Sequence, residues 1–130
     1  MAKEPILVVD DNPLNLKLAR LLLGTESYQV RTAEHAAAAL AVLETFRPRL
    51  ILMDIQLPGM DGLDLTRRLR ADPSLDGVII LALTAYAMKA DEQKALDAGC
   101  DGYISKPINV ASFDKLVATL LRQAQAGLQP

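Results

Sequence analysis

One cysteine, one histidine and no tryptophan stand in a chain of 130 residues. Cys100 has no partner for an internal disulfide and no neighbours at metal-ligand spacing, so neither a disulfide scaffold nor a thiolate metal site can be built on it, and a reducing cytoplasm is the expected setting. No stretch approaches the roughly 18 to 20 apolar residues that a membrane span needs. Met1-Ala2-Lys3-Glu4 passes straight into a short strand-like run, without an apolar leader or a cleavage pattern. A formal net charge of -2 leaves no electrostatic footprint for nucleic acid. Internal repeats, linkers and low-complexity tracts are missing, and only the end from Gln123 to Pro130, with Gly127, reads as frayed. The expectation is therefore a soluble, intracellular, single-domain protein, with 51% hydrophobic and 23% charged residues and enough length to bury an ordinary core.

Strand-like and helix-like segments alternate from end to end. The strand candidates are 6–9, 29–32, 50–53, 78–83 and the short Tyr103-Ile104. Asn12-Pro13 offers a cap and a first-turn proline to a helix striped by Leu14, Leu18, Leu21 and Leu22 and closed by Gly24. An alanine-rich helix is expected over 34–46, stopped at Arg47-Pro48 because the residue before proline avoids helical dihedrals. Asp61 can cap a third helix that Asp72-Pro73 breaks, a fourth is expected over 88–98 up to Gly99, and a fifth over about 109–124. Near-continuous apolar strands alternating with helices imply a parallel sheet covered on both faces. The expected fold is therefore doubly wound α/β, with strand order 2-1-3-4-5 as the common solution.

In that order the chain reverses direction between strands one and three, and the crevice beyond their C-terminal ends is the expected ligand site. Asp10 and Asp11 follow the first strand run and Asp54 ends the third. Three carboxylates about 5 Å apart repel by about 3 kcal/mol per pair at an effective dielectric of 20. A hard dication such as Mg²⁺ removes the conflict, keeping some waters and accepting phosphate oxygens. Taken singly, any of the three is as well read as a loop acid, and Asp11 or Asn12 as the cap of the first helix. Thr84 ends the fourth strand beside the small Ala85, and Lys106 follows the fifth in Ser105-Lys106-Pro107, where an ammonium can bridge acid and anion. His35 and Cys100 lie apart from these groups and are read as structural or incidental.

Together these motifs resemble the receiver domain of two-component response regulators: Asp10-Asp11, Met53-Asp54 with Leu57-Pro58-Gly59-Met60-Asp61-Gly62, Thr84-Ala85, and Ser105-Lys106-Pro107. The resemblance runs from Pro5 to about Ala124 and implies a flavodoxin-like (βα)5 fold. It implies Asp54 as phosphoacceptor, with Mg²⁺, or Mn²⁺ in its place, held by Asp11, Asp54 and the backbone carbonyl of Gln56, and by Asp10 through water. Thr84, Lys106 and the backbone N–H of Ala85 would bind the phosphoryl oxygens. Tyr103 matches the aromatic position that turns inward when the threonine moves.

The same resemblance implies a histidine kinase or histidine phosphotransfer protein as donor. Partner choice would lie on the face of the fourth helix, fifth strand and fifth helix and on the exposed part of the first helix; Met88, Lys89, Asp91, Glu92 and Lys94 are candidates there, each more readily read as a solvated helix position. A receiver over 1–124 with a tail over 125–130 leaves no room for an output domain, which favours a single-domain regulator of the DivK type; an excised receiver of a hybrid kinase would look the same. Such a chain assists its own modification and turns over no separate substrate. A flavin protein would present hydroxyl and backbone donors in the first loop, not acids, and a haloacid-dehalogenase-type phosphatase would carry Asp-x-Asp on its first strand. A docking module that works without phosphorylation is the remaining alternative.

Overall fold

The computed structural model describes residues 4–23, 28–55, 62–75, 77–84, 89–105 and 119. Five strands, β1 (Glu4–Val9), β2 (Tyr28–Ala33), β3 (Leu50–Asp54), β4 (Ile79–Thr84) and β5 (Gly102–Ser105), form one sheet in the order β2-β1-β3-β4-β5. Every pairing is parallel, and helices α1 (Pro13–Leu23), α2 (Ala36–Leu43), α3 (Gly62–Arg70) and α4 (Lys89–Ala98) make the crossovers. Gly24, Asp61 and the expected fifth helix lie outside the described residues, apart from a helical Thr119.

Because successive strand residues point to opposite faces, each central strand feeds two cores. Leu7, Val9, Ile51, Met53, Ile80 and Ala82 pack on one side with α2, α3 and α4. Ile6, Val8, Leu50, Leu52, Leu81 and Leu83 pack on the other with Leu16, Ala19 and Leu23 of α1. Leu50 through Met53 have no exposed surface, which accounts for an apolar run without polar alternation.

Helix α1 departs from the expected stripe. Its buried side is Leu16, Ala19 and Leu23, whereas Leu14 and Leu21 are 74% and 71% exposed. The helix carries two apolar faces, of which that of Leu16, Ala19 and Leu23 meets the sheet; at its start the Asn12 Oδ1 accepts from the Leu14 amide (2.9 Å) and the Asn12 carbonyl from the Asn15 and Leu16 amides.

Helix α2 starts two residues later than expected. His35 is its N-cap, with Nδ1 accepting from the Ala38 amide at 3.0 Å, so Glu34 stays outside. After Leu43 the last turn tightens, with Glu44 and Thr45 amides donating three residues back, but Phe46 still donates to the Val42 carbonyl, so the chain winds on toward Pro48. Past α3, Asp72 accepts from both the amide and hydroxyl of Ser74 and caps a short 3-10 turn at Pro73–Leu75. That exposed carboxyl is held below the usual range, first by the Ser74 hydroxyl bond and then by the Ser74 amide bond.

Strand β5 is longer than Tyr103-Ile104 because its ladder with β4 begins at Gly102 opposite Leu81, where a side chain would press on the Leu81 methyl. The α4 helix stops at Gly99, whose φ of 111° is the left-handed conformation that suits glycine.

His35 thus has a definite structural role. His35→Ala should lower unfolding stability by about 1 kcal/mol in denaturant titration, and His35→Asn should restore it, because only an acceptor at that position satisfies the Ala38 amide.

Candidate functional site

The register sets the site before any side chain is placed. Val9 pairs with Met53 and Val9 also pairs with Ala33, so the residues after β1 emerge level with the end of β3. The Asp10 amide donates to the Ala33 carbonyl (3.1 Å), extending the ladder one residue past β1. Asp54 is the last residue of β3, opposite Leu83 of β4, and the Ile55 amide then donates to the Leu83 carbonyl (3.2 Å). Thr84, one step beyond Leu83, ends β4 at the same edge of the sheet.

Asp10 is wholly buried and Asp54 is 2% exposed, while Asp11 faces solvent. One carboxylate oxygen from each of the three lies within 4.8 Å of the other two. Asp10 is fixed by α1: its Oδ1 accepts from the Asn12 amide (2.9 Å) and its Oδ2 from the Asn15 side-chain amide (3.1 Å). The N-terminal end of a helix favours negative charge, so the start of α1 suits an acidic side chain placed beside it. With Asn12 serving as cap, Asp11 is left to the cluster.

Asp54 is positioned through its main chain as well. The Gly62 amide donates to the Ile55 carbonyl (3.3 Å), setting the first residue of α3 directly against the end of β3. A Cβ on Gly62 would collide with the Asp54 carbonyl oxygen and come within 2.7 Å of the Ile55 Cα. Only glycine lets the helix begin this close.

A donor set made solely of carboxylate oxygens, two of them buried, fits a hard divalent ion and suits neither zinc nor copper. Such an ion would neutralise three charges that otherwise repel by about 3 kcal/mol per pair. The geometry therefore offers a fixed carboxylate, Asp54, next to a place for a cation.

Of the other residues anticipated here, Tyr103 is half-buried in β5, opposite Ala82, against the core beneath α2, α3 and α4. Gln56, Ala85, Met88 and Lys106 lie outside the described residues, and of Thr84, Lys89, Asp91 and Glu92 only the backbone is described. His35 and Cys100 are not drawn into the site. Cys100 is buried, with Sγ 3.9 Å from the Thr66 hydroxyl, and burial pushes its thiol up. Asn15, outside the motifs, and Gly62, inside one but without an assigned role, are the further positioning residues. An Asn in the pattern Asp-Asp-x-x-x-Asn is a weak signal, whereas a glycine directly after Gly-x-Asp at an expected helix start is a usable one.

The model of the response regulator receiver domain matches residues 6–119. The chain belongs to that family. This receiver is 41% identical over 119 residues to the polar-differentiation response regulator DivK of Brucella anthropi, covering 92% of this chain and 97% of the relative. It superposes on a CheY-like receiver domain protein from Methanospirillum hungatei with TM-score 0.88 at 30% identity, over 97% and 99% of the two chains. It is also similar to the receiver of the sensor histidine kinase PA1611 from Pseudomonas aeruginosa, with TM-score 0.83, 34% identity and 93% and 99% coverage; that structure has a magnesium ion coordinated in its active-site cleft. The CheY-like, flavodoxin-like fold and strand order 2-1-3-4-5 expected from the sequence are thereby established for this receiver.

Gly62→Ala tests how the receiver holds Asp54. It should lower unfolding stability by about 1–3 kcal/mol, since the clash is with backbone. Gly77→Ala, where a Cβ meets nothing within 4 Å, should stay within about 0.5 kcal/mol of wild type in the same urea titration.

Proposed function

We propose that Asp54 accepts a phosphoryl group from a histidine kinase or histidine phosphotransfer protein, and that the modified receiver changes its affinity for another protein. The observation that carries this reading is the acidic cluster: a buried carboxylate at the end of β3, with two more within 4.8 Å, on a chain of the receiver family. The magnesium ion in the related PA1611 receiver supports Mg²⁺, or Mn²⁺ in its place, as the ion for Asp11, Asp54 and the Gln56 carbonyl, with Asp10 acting through water.

Bound there, the cation would supply positive charge to a phosphoryl group whose transition state spreads negative charge over its equatorial oxygens. The chain's own part is positional. β3 and the Gly62 contact fix Asp54 so that a carboxylate oxygen can meet phosphorus in line; the new O–P bond forms as the P–N bond of phosphohistidine breaks, and the departing imidazole nitrogen takes up a proton. Thr84, Lys106 and the Ala85 amide follow the motif as ligands of the phosphoryl oxygens, and water later hydrolyses the acyl phosphate. In this reading the chain is no enzyme acting on a separate substrate.

Phosphorylation places a phosphoryl group with nearly two negative charges beside Thr84 and Lys106 where the carboxylate carried one. Movement of Thr84 and Tyr103 would then bias the face of α4, β5 and the expected fifth helix toward a downstream partner. The donor has a different landing place. Leu14, Leu18 and Leu21 recur at helical spacing on α1, two of them strongly exposed, and α1 begins beside Asp10 and Asp11. A helical, histidine-bearing partner laid on this stripe could present its phosphorylated side chain to Asp54. The same stripe would serve a docking module that ignores phosphorylation, which is the second reading.

Similarity to DivK over nearly all of both chains favours a single-domain regulator, with the receiver over 1–124 and a tail over 125–130; the likeness to the PA1611 receiver keeps a hybrid-kinase receiver as the counterpart reading. A cytoplasmic location fits a kinase-fed module, and among the described residues no helix is long and apolar enough to cross a membrane.

Acetyl phosphate with Mg²⁺ should add one labile phosphoryl group to the wild type and none to Asp54→Asn, read by intact mass; equal labelling of both sinks the assignment. Lys106→Ala should keep Mg²⁺ affinity but blunt the structural response to phosphorylation, and loss of metal binding in that variant would count against its role. Partner binding that is identical for wild type and Asp54→Asn, with and without acetyl phosphate, would favour the docking module.

A further inference from the structure

We infer that Arg70 is a positioning residue through which α3 couples the backbone at Asp54 to the start of β5. The inference rests on the phosphoacceptor reading of Asp54 and concerns how a change there reaches the opposite end of the sheet.

Helix α3 spans nine residues, about 13 Å at 1.5 Å per residue. Its first residue is seated on the Asp54–Ile55 backbone with no room for a Cβ. Its last, Arg70, makes a concentrated set of bonds: Nε donates to the Gly99 carbonyl (2.8 Å), one terminal nitrogen to the Val78 carbonyl (2.7 Å), and the other to Asp101 Oδ2 (2.6 Å). The planar guanidinium suits three fixed acceptors in a way that a lysine could not. Those acceptors belong to the turn after α4, the approach to β4 and the approach to β5.

Asp101 carries the connection into the sheet. The same Oδ2 that receives Arg70 accepts from the Ile80 amide (2.9 Å), while the Asp101 amide donates to the Ile80 carbonyl (2.8 Å). Gly102 and Tyr103 follow at once as the first residues of β5. A second tie lies halfway along α3, where the buried Thr66 hydroxyl donates to the Gly62 carbonyl (2.8 Å) and meets the Cys100 thiol. At Gly99, whose φ is 111°, an added Cβ would come within 2.6 Å of the Arg70 Cγ, so the turn after α4 lies close against the Arg70 side chain. Helix α3 is thus fastened at one end to the acceptor backbone and at the other to the root of the strand bearing Tyr103. A packed helix moves as a unit, so a displacement of the Asp54 peptide is delivered to Asp101 and Gly102.

The test is amide NMR of the whole chain on adding Mg²⁺ and beryllofluoride as the phosphoryl mimic. In wild type, signals of Asp10, Asp11 and Ile55 and those of Gly99 to Tyr103 should both move. In Arg70→Ala, and in Asp101→Ala, which removes the oxygen shared by Arg70 and the Ile80 amide, the first group should move as in wild type while the second loses more than half of its displacement. Arg49→Ala, which breaks the separate ion pair to Glu4 at the start of β1, should leave both groups moving and so controls for loss of stability alone. Full displacement of Gly99 to Tyr103 in both Arg70→Ala and Asp101→Ala overturns the coupling. An absence of response at Asp10, Asp11 and Ile55 in wild type overturns the phosphoacceptor reading, and the coupling with it.

Discussion

Crowding of three carboxylates at the ends of two buried strands is the constraint around which this molecule is arranged. Asp10 and Asp54 are almost without exposed surface, and one oxygen from each lies within 4.8 Å of the other and of Asp11. Nothing in the packing of an α/β core requires such a group, and its cost must be met by neighbours: the N-terminal end of α1, the amides of Asn12 and Asn15, and a cation where one is bound. The central strands explain how the cost is sustained. Leu50 to Met53 are buried on both faces, so the backbone that raises Asp54 is among the least yielding parts of the structure.

Two small features make this arrangement possible. Asn12 takes over the capping of α1, which frees Asp11, and Gly62 lets α3 begin against the Asp54 carbonyl. The buried faces of α1 and α3 are held by apolar packing, their starts at the acidic edge are set by short polar contacts and a missing side chain, and the far end of α3 is fastened by the bonds of Arg70 and Asp101. A rigid sheet with a charged edge, bridged by helices fixed at both ends, is a physical basis for converting a local charge into a distant movement.

Much of this was legible in the residues. Continuous apolar runs ending in Asp10 and Asp54 announced buried parallel strands and a ligand edge, because a strand buried on both faces has no polar alternation and its first polar residue must mark its exit. The α1 stripe was harder. Leu14, Leu16, Leu18, Leu21 and Leu23 supply two apolar faces, and periodicity alone could not say that Leu16 and Leu23 turn inward while Leu14 and Leu21 stay in water. His35 as a cap escaped notice because imidazole is not among the usual capping groups, yet Nδ1 accepts from Ala38 as a carboxamide would. The contacts of Arg70 join residues about thirty positions apart, which no local pattern encodes.

The most direct measurement is unfolding free energy as a function of Mg²⁺ concentration, in wild type and in Asp11→Ala, an exposed member of the cluster whose removal leaves the core untouched. If the cluster is a dication site, wild-type stability rises with the logarithm of Mg²⁺ once the ion exceeds its dissociation constant, and Asp11→Ala needs at least about tenfold more ion for the same gain. A wild type indifferent to Mg²⁺, or a variant that responds identically, would contradict the account.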